Sequence, residues 1–122
     1  MLKFLEKLKV KSQREIWWFK THGEPMQVRG IPDVLICFFG LFFCIEFKIK
    51  RRGKLAITPY QQYTSECITK ANGIVLIVWF DEDTAEIGIG MRKFPNMDEA
   101  VSWLLEVLES ALHIPCCERS QE

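Results

Sequence analysis

The sequence predicts a single α/β domain in which helices flank a mixed central sheet. Three observations support this fold class. The chain has 122 residues, of which 48% are hydrophobic and 26% charged, a composition typical of one globular domain. Short apolar runs with strand character alternate with segments of helical period. The predicted order is helix, three strands, helix, strand, a weaker strand and helix, which favours a mixed sheet.

The first and last helices are predicted from the spacing of their apolar residues. The first covers residues 2–12, and the last follows Asn96, a good N-cap residue with Glu99 three positions later. Both are expected to turn an apolar stripe toward the core. The stripes are Leu2, Leu5, Leu8 and Val10 in the first helix, and Met97, Ala100, Val101, Leu104, Leu108, Ala111 and Leu112 in the last.

The middle helix is predicted from its capping signals. Thr58 is a favourable N-cap, Pro59 suits the first helical position, and Gln61 completes a T-x-x-Q capping box. The pair Asn72-Gly73 is typical of a helix C-terminus. We therefore expect a helix that begins at Pro59 and ends near Asn72.

The strands are predicted from aromatic, β-branched and continuous apolar runs bounded by turn residues. Gly40 separates two of these runs and predicts a hairpin. The segment between the first and second strands holds two Gly and two Pro and is expected to be a loop. The predicted strands cover residues 15–20, 33–39, 41–50 and 73–80, with a weaker edge strand in residues 85–91.

Charge is unevenly distributed along the chain, although the net charge is zero. Residues 1–70 carry 13 Lys and Arg against 6 Asp and Glu, whereas residues 71–122 carry 3 against 10. This asymmetry is consistent with a surface that binds a polyanion. It is equally consistent with a solvated surface on which folding mixes the charges.

Cysteine usage and hydropathy limit the class of protein. The five cysteines form no C-x-x-C pair, which argues against a disulfide scaffold and a zinc site. Cys37, Cys44 and Cys67 lie in apolar patterns and are expected in the core. No apolar run reaches the roughly 18 residues that span a bilayer, and the N-terminus lacks a secretory signal. We expect a cytoplasmic protein without a membrane partner.

Within residues 30–49, charged side chains occur only at Asp33, Glu46 and Lys48. A two-residue loop at Phe39-Gly40 would place Asp33 opposite Glu46, and a loop at Gly40-Leu41 would place it opposite Lys48. Both registers put the three charges on one face of the hairpin, since strand side chains alternate. A three-residue loop would separate them.

Two carboxylates held this close repel each other unless a cation lies between them. Mg²⁺ (or Mn²⁺) suits such a pair, and the backbone carbonyl of Phe47 could add a ligand. Lys48 is placed to contact an attacking water or developing negative charge, so the set suits phosphodiester hydrolysis. The alternative is a simple cross-strand ion pair between Lys48 and one of the acids, which would contribute about 0.2–1 kcal/mol.

The segments "GIPD", "IEFK" and "GKLAITPYQ", in this order, resemble the PD-(D/E)xK nuclease superfamily, and more narrowly its VRR-NUC group. The resemblance extends from about Trp17 to Val78. It implies a restriction-endonuclease-like fold, with one nuclease domain in residues 1–115 and a polar tail in residues 116–122. It also implies a metal-dependent endonuclease of virus or prokaryote type. Such an enzyme would act on branched, flap or Holliday-junction DNA, and it is expected to be a homodimer.

The same resemblance assigns roles to individual residues. Asp33 and Glu46 would be metal ligands, Lys48 the catalytic lysine and Gln61 a catalytic-site glutamine. Members of the group usually carry a glutamate in the first helix that faces the metal, and Glu6 is the only carboxylate of this helix. It is therefore a further candidate ligand.

Phosphate contacts are expected from basic residues that flank the proposed site, and such contacts carry no sequence information. These residues are Arg29, Lys50, Arg51, Arg52 and Lys54, and the resemblance adds Lys20, which matches a lysine of the family's first strand. Two alternatives to a DNA endonuclease remain open from the sequence. One is a DNA-binding module with the nuclease fold and weak catalysis, and the other is an RNA-processing nuclease of the same superfamily.

Overall fold

The computed structural model describes residues 2–13, 16–21 and 30–120, with side chains up to residue 111. It contains three helices and six strands in this part of the chain. They are α1 (Leu2–Ser12), β1 (Ile16–Lys20), β2 (Val34–Phe38), β3 (Leu41–Lys50), α2 (Pro59–Lys70), β4 (Ile74–Asp81), β5 (Ile87–Ile89), β6 (Arg92–Phe94) and α3 (Met97–Ser120).

The strands form one mixed sheet whose spatial order follows the chain from β1 to β6. Only the β3–β4 pair is parallel, and α2 makes the connection between these two strands. The other neighbouring strands are antiparallel. The predicted fold class, a mixed α/β sheet flanked by helices, is confirmed at this level.

The hairpin between β2 and β3 has a two-residue loop. Phe38 pairs with Leu41, so Phe39 and Gly40 form the turn. Their φ angles are 49° and 84°, both in the left-handed region that a type I′ turn requires. One of the two predicted registers is therefore realised, and it is the one that places Asp33 across from Glu46.

One face of the sheet packs against α1 and α3, and we call it the core face. Side chains from alternate strand positions, such as Ile36, Phe43, Ile45 and Val78, are fully or almost fully buried there. They form one cluster with the inward side chains of the two helices. The helix members of this cluster are Phe4, Leu5, Leu8, Ala100, Val101, Leu104 and Leu108.

The apolar stripe predicted for α1 is partly wrong. Leu5 and Leu8 are buried, but Leu2 and Val10 are exposed, and Phe4 occupies the core instead. The ring of Phe4 makes an edge contact with the ring of Phe47, with 5.9 Å between centroids. Phe4, the largest side chain of the first turn, thus lies on the side of α1 that turns inward.

The opposite face, which we call the α2 face, is covered less completely. Helix α2 lies over β3 and β4, and none of its residues is fully buried. The β1–β2 side of this face is open in the described part of the chain, and Trp17 and Phe19 are exposed there. Cys37 and Cys67 are also exposed, so the prediction of a core position holds for Cys44 alone.

The C-terminal strands differ from the prediction in one respect. Residues 87–89 form the predicted weak strand, but it lies inside the sheet and not at its edge. The edge is β6, a three-residue strand that the sequence analysis did not predict. Gly90, with a φ of 60°, allows the tight turn that returns the chain.

The last helix begins as predicted, because the Asn96 Oδ1 accepts a hydrogen bond of 2.9 Å from the Glu99 backbone N–H. It continues to Ser120, into the segment predicted as a polar tail. None of the described helices combines the length and the apolar character needed to cross a membrane.

Candidate active site

The two acidic residues of the hairpin meet on the α2 face. Asp33 directly precedes β2, and continuing the β2–β3 register by one position places it opposite Glu46. The backbone N–H of Phe47 donates a 2.8 Å hydrogen bond to Oδ2 of Asp33. Glu46 is 8% exposed and is the one buried charged residue in the described part of the chain.

The backbone that leads into Asp33 contacts two neighbouring segments of the chain. The Thr21 backbone N–H donates to the Asp33 carbonyl at 2.8 Å, and the Thr21 hydroxyl donates to the Pro32 carbonyl at 2.8 Å. On the other side, Gly30 lies directly against the first turn of α2. A Cβ at position 30 would overlap the carbonyl of Tyr60, and the φ of Gly30 is 84°. Glycine is therefore required where the loop crosses the helix.

Gln61 connects the helix cap to the two charged residues of β3. Its Nε2 donates to Oε1 of Glu46 at 3.0 Å, and its Oε1 accepts from Nζ of Lys48 at 2.8 Å. The same Oε1 accepts from the Thr58 backbone N–H at 3.0 Å, and the Thr58 Oγ1 accepts from the Gln61 backbone N–H at 3.2 Å. The predicted capping box is thus confirmed, and its glutamine also contacts Glu46 and Lys48.

The surroundings of Glu46 disfavour its ionised form. Burial raises the pKa of Glu46 from 4.5 to about 7, and the negative charge of Asp33 adds to the rise. Lys48 opposes it, since its Nζ lies 3.9 Å from Oε1 of Glu46. One nearby ammonium does not offset burial together with a second carboxylate. A further positive charge would be favourable at this position.

The donor set fits a hard divalent cation. Mg²⁺ is commonly held by one or two carboxylates together with waters and phosphate oxygens. Asp33 and Glu46 would supply the carboxylates. The Phe47 carbonyl points to the same side of β3 as its N–H, which faces Asp33, and it could be a third ligand. The described residues contain no cluster of three or more acidic, His or Cys side chains suited to a metal.

Glu6 does not join this pair in the structure. It is exposed on α1, the helix that packs against the core face, on the other side of the sheet from Asp33 and Glu46. Among the described residues, the carboxylates that meet at this position are therefore the two of the hairpin.

The predicted phosphate-binding residues fall into three groups. Lys50 lies two positions beyond Lys48 on the same face, with its Nζ 4.3 Å from the centre of the Trp79 ring. The second group, residues 51–54, forms an exposed turn that we call the basic turn. Lys20 is exposed but pairs with Val34, so its side chain leaves the sheet on the core-face side. Arg29 lies outside the described residues.

Trp79 is a site neighbour that the sequence analysis did not identify. Its indole supports Lys50, its Nε1 donates to the Gly90 carbonyl at 2.9 Å, and Gly88 leaves room for the ring. A Cβ at position 88 would overlap the indole. The two glycines of "IGIG", residues 87–90, were a usable signal, because a glycine within a strand often marks a place where another group approaches closely.

No protein-family model matches this chain, and no curated protein matches it either.

Proposed function

We propose that this protein is a Mg²⁺- or Mn²⁺-dependent endonuclease that hydrolyses DNA phosphodiester bonds. The observation that supports this proposal is the convergence of Asp33, Glu46, Lys48 and Gln61 on one sheet face. A plain ion pair would need only Lys48 and one acid. It leaves unexplained a second acid that raises the pKa of the first and an amide that contacts both Glu46 and Lys48.

Each side chain has a separate task in this proposal. Asp33 and Glu46 would hold the divalent ion, with the Phe47 carbonyl as a further ligand. The bound ion supplies activation of a water molecule and neutralisation of charge on the phosphate. Lys48 would place its ammonium within contact distance of an attacking water or a phosphate oxygen. Gln61 fixes Lys48 and Glu46 in their rotamers, because its amide hydrogen-bonds both.

We further propose that the sheet and its helices are of the restriction-endonuclease-like type and that the protein acts as a homodimer on branched DNA. The order of the motifs supports the fold proposal. The "PD" pair precedes β2, "E-x-K" lies in β3, and "T-P-x-Q" begins α2. Lys50 and the basic turn continue from the site along β3 and would contact phosphates without reading sequence.

The proposal is tested by replacing Asp33 with asparagine, which keeps the shape of the side chain and removes its charge. Wild type should cut DNA with Mg²⁺ and not with EDTA, on a panel of linear, flap and four-way substrates. Asp33→Asn should cut at least about 100-fold more slowly, the upper end of the cost of losing a residue that merely supports a metal ligand. Matched RNA substrates determine whether the enzyme prefers DNA.

Asp83→Asn is the matched control, since Asp83 is an exposed aspartate in the turn between β4 and β5. It should cut as fast as wild type. Equal cutting by wild type and Asp33→Asn would rule out the proposed site.

A second candidate function is a DNA-binding module that retains the nuclease architecture and cuts poorly. The position of Glu6 favours it, because the described part of the site has two carboxylates and not three. In this case, wild type would bind branched DNA, with an affinity that falls as salt rises, but metal would not produce cutting.

A further inference from the structure

The open part of the α2 face carries two exposed aromatic rings beside the acidic pair. Trp17 and Phe19 are 63% and 50% exposed on β1. Their rings are nearly parallel, with 6.4 Å between centroids and an interplanar angle of 14°. We call these two residues the aromatic pair. Exposed apolar side chains that lie next to each other often mark a binding surface.

The register places the aromatic pair on the same face as the acids. Phe19 pairs with Leu35 and Trp17 with Cys37, and both partners alternate in phase with Asp33. Across the sheet, Leu35 pairs with Cys44, two positions before Glu46. At ordinary strand spacings, Phe19 and Trp17 lie roughly 12 and 16 Å from Glu46, measured between Cα positions.

The distribution of charge along this face favours binding of a polyanion. On the α2 face of β1–β3 the described carboxylates are Asp33 and Glu46 alone, both in the proposed metal site. Lys48, Lys50 and the basic turn continue the face on the far side of that site. At the basic turn, Glu82 pairs with Arg51 at 3.4 Å. Between Lys48 and the aromatic pair, however, the described residues of β1–β3 offer a nucleic acid strand a path across the site with no carboxylate outside the site itself.

We propose that the aromatic pair is a stacking site for unpaired bases of a single-stranded DNA arm next to the scissile phosphate. This inference rests on the proposed function, because it states where the single-stranded arm of the branched DNA substrate would bind. Aromatic rings on an open sheet bind bases of any sequence by stacking. At the duplex rise of about 3.4 Å per nucleotide, the stacked bases would lie at most roughly three to five nucleotides from the site, and an extended single strand would cover the distance in fewer.

The test is a binding assay in EDTA, where cutting does not interfere. A duplex with a labelled single-stranded arm is compared with the same duplex whose arm carries abasic sites at the first five or so positions. Wild type should bind the normal arm at least about 30-fold more tightly, which is the lower limit for stacking of two bases. The double variant Trp17→Ala/Phe19→Ala should bind both arms as weakly as wild type binds the abasic arm. Wild type and the double variant should bind blunt duplex with equal affinity.

Two further variants control for folding. Ile49→Ala removes an apolar side chain with 52% exposure from the core-face side of β3, and it should bind like wild type. Trp17→Phe with Phe19→Tyr keeps both rings and should restore the preference for bases. If wild type does not distinguish normal from abasic arms, or if the alanine variant still does, the stacking site is wrong.

The chief rival occupant is a second copy of this chain. In that case, the alanine variant would halve the mass measured by sedimentation while keeping any preference for bases, which would overturn the proposal. The endonuclease proposal fails separately. Base-dependent binding in EDTA without metal-dependent cutting would retain the stacking site and remove the endonuclease, whereas cutting without base dependence would do the reverse.

Discussion

Strand β3 presents different environments to its two sets of alternating side chains. Phe43, Ile45 and Phe47 enter the core face, where α1 and α3 exclude water. Cys44, Glu46 and Lys48 enter the α2 face, where one helix gives partial cover. A single ten-residue strand therefore contributes side chains to the hydrophobic core on one face and to the proposed catalytic site on the other.

The comparison shows how charges can be kept close to a core without opening it. A buried charge is costly unless it is paired and hydrogen-bonded. On the α2 face, the polar partners come from a cap and a loop, namely Gln61 on α2 and the Asp33 segment before β2. The core face needs no such partners, so it can be continuous and apolar. Stability and chemistry should then respond to different substitutions.

Leu104→Ala should produce the largest loss of stability. Leu104 is fully buried where α3 meets the core face. Truncating such a leucine leaves a cavity and costs about 2–5 kcal/mol of unfolding free energy. Urea denaturation measures this loss. The cutting rate per folded molecule should remain that of wild type, because the α2 face is unchanged.

Val107→Ala is the matched control for this prediction, since Val107 is exposed on the same helix. It should change stability by less than about 0.5 kcal/mol. A loss of activity in folded Leu104→Ala would show that the two faces are coupled and would break the distinction between them.

Glu46→Gln should raise stability, in a manner that depends on pH. The pKa of Glu46 is about 7 in the folded protein and 4.5 as the ordinary value, so ionisation opposes folding. The penalty is absent below pH 4.5, grows between pH 4.5 and 7, and reaches about 3 kcal/mol above pH 7. The glutamine variant avoids it and should be more stable than wild type at pH 8 and equal at pH 4. Urea denaturation with EDTA at several pH values checks this.

Asp98→Asn is a control for which the effect on stability should have the opposite sign. A hydrogen bond of 2.9 Å from Lys7 lowers the pKa of Asp98, so its ionised form favours folding. This variant should be less stable than wild type above pH 3.8, and the difference should vanish as the pH falls below the lowered pKa. A difference for Glu46→Gln that stays constant with pH would show that burial of its charge is not the cause.

Local signals in the sequence were sufficient for much of this site. The capping box and Pro59 located the start of α2, and the alternation around Gly40 placed the three charges on one face. These features depend on neighbours a few residues apart. The choice between the two turn registers could not be made from the sequence, because a bulky residue such as Phe39 is unfavourable at the φ of 49° that the observed turn requires.

Features that depend on distant contacts could not be predicted in the same way. The exposure of Cys37 follows from where α2 lies, which the pattern of β2 does not contain. The exposure of Leu2 follows from the docking of α1 through Phe4. The contact of Gly30 with the Tyr60 carbonyl joins segments thirty positions apart. A single sequence gives the alternation of a strand, but it does not say how much of each face another element covers.

Gln61→Ala should have the smallest effect on stability and separate the two tasks of α2. It removes half of the capping box and should cost about 1 kcal/mol, a typical value for a lost cap. It also removes the amide between Glu46 and Lys48, so cutting should slow by about 10- to 100-fold. Thr58→Ala is the matched comparison, because it breaks the other half of the same cap and leaves the amide in place. Similar stability losses with unequal cutting rates would establish a role for Gln61 beyond capping, whereas equal rates would reduce it to a helix cap.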